Sequence, residues 1–275
     1  MSAILRLRPN ALAGLVLAGL TLIAAFVGQI APPADPIKPD FLAQLQSPSP
    51  AHPMGTDQFG RDVLSRVLAG AGVSLFVALT TVAVALALGT VLGALAGFHG
   101  GLIDKVVGVI TDTLMAFPGL LLALAIMAVI GPGIGGLIVA LGLAFAPSFI
   151  RVTRALVLSL RQTEFAQASR ALGNGPLYTL ARHILPNCVS SLTVLSTTIA
   201  ALALLAESAL SFLGLGVQPP APSWGGMLAD GRGLMGQAPW LVVFPGLAIF
   251  VALLGINLTG DALRDLLDPR MEGER

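Results

Sequence analysis

From Val73 to Phe98 no side chain carries a charge, and this run exceeds the ~20 apolar residues that carry a helix across a bilayer. Further apolar runs lie at about Ala11–Ile30, from just after Lys105 to Ile130, Ile134–Ile150, Val189–Gly216 and Trp240–Leu258. A backbone in hydrocarbon must satisfy its own N–H and C=O groups, so these runs are expected to be helices. With 55% hydrophobic and 11% charged residues and a mean hydropathy of +0.88, the chain reads as an all-α membrane protein with six spans. The first run follows Arg6 and Arg8; its length favours an uncleaved span over a signal peptide. The organisation expected is a tail and first helix over 1–30, a polar loop over 31–70, and a five-helix core over 71–275.

The polar stretch 161–187, RQTEFAQASRALGNGPLYTLARHILPN, interrupts this pattern. Thr163 is placed to cap a short helix from Glu164 to Leu172, with Phe165, Ala168, Ser169 and Leu172 on one face. Gly173 supplies the left-handed residue that ends a helix, and Gly175-Pro176 restarts one. In the second helix Leu177, Leu180, Ala181, Ile184 and Leu185 form an apolar stripe, opposite Tyr178, Thr179, Arg182 and His183. Pro186 is expected to end that helix. Taken alone, such a segment reads as an amphipathic loop on a membrane surface.

Its spacing resembles the cytoplasmic coupling loop, the EAA motif, of binding-protein-dependent ABC importer permeases. Gln167-Ala168-Ser169 stands for Glu-Ala-Ala, Gly173 for the motif glycine and Leu185-Pro186 for its terminal Leu-Pro. Gln167 replaces the usual glutamate, and His183 stands where isoleucine is common. The loop motif Gly55-Thr56-Asp57-Gln58-Phe59-Gly60-Arg61-Asp62, with the stretch Ser211–Pro220, resembles the dipeptide, oligopeptide and nickel subgroup. The resemblance implies a type I importer permease fold with six spans and a coupling helix. It also implies a multi-pass protein of a bacterial inner membrane, paired with a second permease chain. Two cytoplasmic P-loop ATPases that bind ATP and Mg, and an external solute-binding protein, complete the implied assembly. The implied docking residues are Gln167, Ala168, Ser169, Arg170, Leu172, Gly173 and Asn174.

Charge placement sets the orientation independently. Arg6, Arg8, Lys105, Arg151, Arg154, Arg161, Arg170, Arg182, Arg264, Arg270 and Arg275 fall on the side of both termini and the coupling stretch. Lys38, Arg61, Arg66 and Arg232 fall on the other, so the positive-inside rule puts both termini in the cytoplasm.

Other chemistry is excluded by what the sequence lacks. Neither Lys38 nor Lys105 follows a glycine-rich phosphate loop, so ATP hydrolysis is expected in separate subunits and no cofactor in this chain. There is no H-E-x-x-H, no G-x-S-x-G, and no Cys/His metal spacing; Cys188 reads as a small buried residue and His52 alone makes no site. Nothing in the pattern suggests nucleic-acid binding. Gly89, Gly93 and Gly97 offer a close-packing face.

Two acids stand within apolar runs, where an unpaired charge is costly. Asp112 calls for an arginine such as Arg151 or Arg154, or lines a path; Glu207 either meets cargo or is hydrogen-bonded within the bundle, and the second reading is preferred. In the outer motif, Asp57, Arg61 and Asp62 are expected to lock the loop rather than touch a ligand, and Asp62, Ser65 and Arg66 to lie on one face of a helix that follows it. The functional reading is half of the translocation path of an ATP-driven importer of di- or oligopeptides, or of nickel or another small solute. A gradient-driven carrier using Asp112 and Glu207 as ion sites is the reading from another class.

Overall fold

The architecture, taken from a computed structural model, is described for residues 9–267; Arg6, Arg8, Arg270 and Arg275 lie outside the described residues. Helix α1 (Pro9–Ile30) leads through a long loop to α2 (Val63–His99). A short turn separates α2 from α3 (Gly101–Met115), which is bent by 96° against α4 (Gly119–Ile130). Then follow α5 (Ile134–Leu160), the short α6 (Glu164–Ala171) and α7 (Pro176–Thr179), α8 (Leu185–Phe212), the short α9 (Trp224–Gly231) and α10 (Trp240–Leu267). Among the described residues five helices are long and apolar enough to span a bilayer, and the bent α3–α4 pair meets the same test when taken as one broken span. The bend falls where Pro118 cannot donate an N–H and would clash with the preceding turn.

Helix α2 is the central element, packed against α1, α3, α5 and α8. Its contact with α5 is set by glycines. A Cβ on Gly89 would lie 2.2 Å from Phe149 Cβ, one on Gly93 2.6 Å from the Ile150 carbonyl, and one on Gly97 2.8 Å from the Arg154 carbonyl. Lipid is as apolar as leucine, so backbone proximity and dispersion, rather than escape from water, hold such helices together. Gly14 against Leu258 and Gly255 against Ala18 bring α1 and α10 together in the same way. The buried centre joins Ala78, Ala85, Phe149, Val157, Ile184, Cys188 and Leu204, while Ile23, Phe26, Val91 and Phe250 point outward, as a lipid-facing surface requires.

Several helix limits differ from those read in the sequence. The second helix starts at Val63, ten residues before the uncharged run, because Asp62 caps it through a 2.8 Å bond from Ser65 N–H. At 1.5 Å per residue α2 is about 55 Å long, so it projects well beyond the ~30 Å hydrocarbon layer. Helix α5 runs past Pro147 and Ile150 to Leu160, since Ile150, Thr153 and Val157 continue its buried face. Pro186 does not end a helix. The chain widens to a π-turn at Leu180–Ile184, where Leu185 N–H reaches back to the Leu180 carbonyl, and the span continues from Pro176 to Phe212. The wider turn absorbs the proline that a regular α-helix would reject. Helix α10 likewise runs on beyond Leu258 to Leu267.

Candidate functional site: the elbow, the outer loop and the intramembrane acids

At one end of the bundle α6 and α7 form an elbow. Asn174 N–H bonds to the Ser169 carbonyl at 3.2 Å and Gly173 N–H to that of Arg170 at 2.9 Å. With Gly173 at φ +83°, this is a Schellman ending to α6. Ser169 and Thr179 hydroxyls meet at 3.0 Å, and Asn174 Nδ2 donates to Ser169 Oγ at 3.2 Å, so the two short helices are tied across the turn. Thr179 therefore sits on the buried face with Leu180 and Ile184, whereas Leu177 and Ala181 of the expected stripe are exposed; the hydroxyl pair and the π-turn rotate the face. Thr163 occupies the cap position, but its hydroxyl donates to the Leu160 carbonyl instead of capping α6.

Only Ala166 and Ser169 of α6 are buried. Phe165, Gln167, Ala168, Arg170 and Leu172 stay exposed, with Leu177 and Tyr178 of α7. Gln167 Nε2 bonds locally to the Gln162 carbonyl. Among the described residues nothing lies within 4 Å of a Cβ placed on Gly173. The elbow is fixed to the bundle by two arginines, of which sequence reading assigned Arg161 only to orientation and Arg170 to orientation and docking. Arg161 Nη1 donates to the Gly97 and Phe98 carbonyls at 2.9 and 3.1 Å, a cation at the negative end of α2, and Arg170 lies 5.7 Å over the Phe98 ring.

At the opposite end the outer loop is locked from within. Asp57 Oδ1 accepts from the Phe59 and Arg61 N–H groups at 2.8 and 2.9 Å, and Oδ2 from Arg61 Nε at 2.7 Å. Arg66 Nε lies 3.5 Å from the same carboxylate, and Arg66 Nη1 donates to the Pro36 carbonyl at 2.8 Å. Asp62 also takes Ser65 Oγ–H at 2.7 Å and faces His52 Nδ1 at 3.0 Å. Gly60, at φ +75°, leaves no room for a side chain: a Cβ would sit 1.7 Å from the Asp40 carbonyl. Thr56 Oγ1 accepts from Gln46 N–H at 2.8 Å, and Trp240 Nε1 donates to the Thr56 carbonyl at 3.0 Å, next to Gly55. Trp224 Nε1 donates to the Val67 carbonyl at 2.9 Å and clamps α9 onto α2. The sequence placed Arg66 on a helical face with Asp62 and Ser65, but its contact with Asp57 and the hydrogen bonds of the two tryptophans were missed.

Glu207 is wholly buried. Ser211 Oγ donates to it at 2.8 Å and Ser208 Oγ at 3.3 Å. Ser74 Oγ of α2 accepts from Trp224 N–H at 3.4 Å, which joins α2 to α9. Asp112, by contrast, is exposed and pairs with Arg151 through a 2.9 Å bond. Arg154 takes Asp104 instead, by two bonds, of which Nη2 to Oδ2 is 2.8 Å. The structure thus brings the elbow residues together and the outer motif together, but Asp112 and Glu207 lie in separate surroundings.

The family profile of the binding-protein-dependent transport system inner membrane component matches residues 89–273, which include the elbow and α8. The dipeptide transport system permease protein DppC of Alkalihalophilus pseudofirmus is 45% identical over 231 residues, covering 83% of this chain and 75% of that protein. The glutathione transport system permease protein GsiD of Escherichia coli O6:K15:H31 is 43% identical over 254 residues, covering 92% and 84%. Among solved structures, a chain of the inward-facing MetNI methionine ABC transporter aligns with a TM-score of 0.60 at 18% identity, covering 74% of this chain and 96% of that one. That likeness fixes the fold as that of a type I importer permease. With an elbow at one end, a locked loop at the other and a profile match across most of its length, the chain belongs to the inner membrane components of binding-protein-dependent transport systems.

Proposed function

We propose that this chain forms half of the translocation path of an ATP-driven importer for di- or oligopeptides. The named substrates of its relatives, a dipeptide and the tripeptide glutathione, support that substrate class. The observation that carries the mechanical reading is the elbow: a rigid turn whose outward surface of Phe165, Ala168, Leu172, Leu177 and Tyr178 has no covering among the described residues. Gln167, Ala168, Ser169, Arg170, Leu172, Gly173 and Asn174 make the part that docks in a groove of a cytoplasmic P-loop ATPase. Exposed residues supply the contact surface, and Ser169 and Asn174 hold its shape. Closure of two ATPase subunits on ATP and Mg pushes the elbow, and Arg161 and Arg170 pass the motion to α2. This chain then rocks against a second permease chain between outward-open and inward-open states.

The termini lie in the cytoplasm, on the side of Lys105, Arg151, Arg154, Arg161, Arg170 and Arg182. The outer loop 31–62 and α9 form the platform facing an external solute-binding protein. Glu207 and the Asp57 cluster keep that platform in shape.

The test is uptake of a labelled dipeptide by liposomes holding the chain with its co-purified partners. Uptake that needs ATP and is indifferent to an uncoupler is expected. Collapse by an uncoupler at constant ATP would establish a gradient-driven carrier instead.

A further inference from the structure

The pair Asp112–Arg151 is a charged contact in an apolar setting. Leu102, Val106, Val109 and Ile110 precede it on α3, and Met115, Phe117 and Leu121 follow, all exposed. These flanks set Asp112 in an apolar stretch of α3, and Arg151 stands at the cytoplasmic end of the uncharged run Ile134–Ile150. Yet the two side chains are 74% and 54% exposed, and hydrocarbon does not receive an exposed carboxylate and guanidinium. The adjacent pair shows what a strut between α3 and α5 looks like: Asp104 and Arg154 make two bonds and are 22% and 39% exposed. Asp112 and Arg151 make one bond among the described residues, leaving the second carboxylate oxygen and most guanidinium N–H groups open. The pair also stands directly before the bent joint to α4, with Ala116 N–H bonded to the Asp112 carbonyl at 3.0 Å.

We propose that Asp112 and Arg151 face the water-filled path and exchange partners with the two charged ends of a zwitterionic solute as it passes. The ammonium end of the cargo takes the place of Arg151 at Asp112, and its carboxylate end takes the place of Asp112 at Arg151. Each charge keeps an opposite charge beside it throughout, so the exchange avoids stranding an ion in a low-dielectric wall. A singly charged cargo leaves one member unpaired and passes more slowly. The cargo class rests on the peptide-import function proposed above.

The complete assembly in liposomes, with one fixed amount of its external binding protein, tests this. Uptake of dialanine is compared with that of N-acetyl-dialanine and dialanine amide. Charged hydrogen bonds of this kind correspond to about tenfold or more in rate or affinity. Asp112→Asn is expected to reduce the preference for the free amine over the acetylated peptide about tenfold, leaving the preference for the free carboxylate unchanged. Arg151→Gln is expected to do the reverse. The binding protein is the same throughout, so its own selectivity cancels in the ratio of variant to wild type. An equal loss for all three peptides, or recovery by Asp112→Arg with Arg151→Asp, makes the pair a strut and overturns the proposal. If the wild-type assembly takes up none of the peptides, the peptide reading fails by itself and thiol labelling decides the path assignment. In a Cys188→Ala chain, Asp112→Cys and Arg151→Cys should react with a charged, membrane-impermeant methanethiosulfonate at least tenfold faster than Phe26→Cys on the outward face of α1. Equal rates at these positions overturn it.

Discussion

Replacing Asp57 by Asn changes the outer loop by one charge and almost no volume. Asp57 and Arg61 are only 11% and 9% exposed and share a 2.7 Å bond, and Arg66, 5% exposed, lies 3.5 Å away, so solvent screens this cluster little. Removing one partner of a buried ion pair costs about 3–5 kcal/mol, because the remaining charge is left uncompensated. Asn keeps one carbonyl oxygen for the Phe59 and Arg61 N–H groups, which holds the cost near the lower figure, about 3 kcal/mol. Trp240 anchors this loop at Thr56, and the cost falls on local opening of the loop rather than on the distant helices. When cleavage is slow relative to reclosing, proteolysis follows the open population, and about 3 kcal/mol corresponds to roughly a hundredfold. Limited proteolysis of the purified protein in mild detergent should therefore cut within residues 31–62 about a hundredfold faster in Asp57→Asn, with the helices still protected. A change under threefold would refute the claim that charge pairing locks the loop.

Other outcomes follow from the same packing. Gly93→Val places carbon against the Ile150 carbonyl and Thr153 Cβ, 2.6 and 2.8 Å from the Cβ position. Both neighbours sit on the facing helix, so a cost of about 3 kcal/mol and a clear loss of thermal stability in detergent are expected. Glu207→Leu leaves the Ser208 and Ser211 hydroxyls without their acceptor and should destabilise by about 2 kcal/mol, while Glu207→Gln should stay within about 1 kcal/mol of wild type in the same assay. Retained uptake with unchanged ligand preference in Glu207→Gln would support a structural role; a changed preference would make Glu207 a cargo contact.

The spans were legible because hydrocarbon permits little besides helices, and a run such as Val73–Phe98 needs no partner to declare itself. The elbow was legible for a different reason: a left-handed residue after a helix and a proline at the start of the next leave Gly173 and Gly175-Pro176 as local marks. Faces and limits were less so. Pro186 signalled a stop that the π-turn at Leu180–Ile184 removes, and Thr179 looked outward until Ser169, ten residues earlier, supplied its hydroxyl partner. The Asp112–Arg151 pairing could be narrowed to two arginines by cost alone; choosing between Arg151 and Arg154 required the fold, because Asp104 competes for the second. Arg170 over Phe98 and Trp224 on Val67 join residues far apart in the chain, and no periodicity announces such contacts.

The central claim is that the elbow transmits ATP-driven motion, and Gly173→Asp tests it most directly. With no atom of the described residues within 4 Å of the new Cβ, the free chain bears only the left-handed backbone cost, about 1–2 kcal/mol, and should fold and assemble. Hydrolysis and peptide uptake are then measured on the same reconstituted vesicles. The expected result is ATP hydrolysis that continues while uptake per ATP falls at least tenfold. Uptake per ATP equal to that of the wild type would contradict the account.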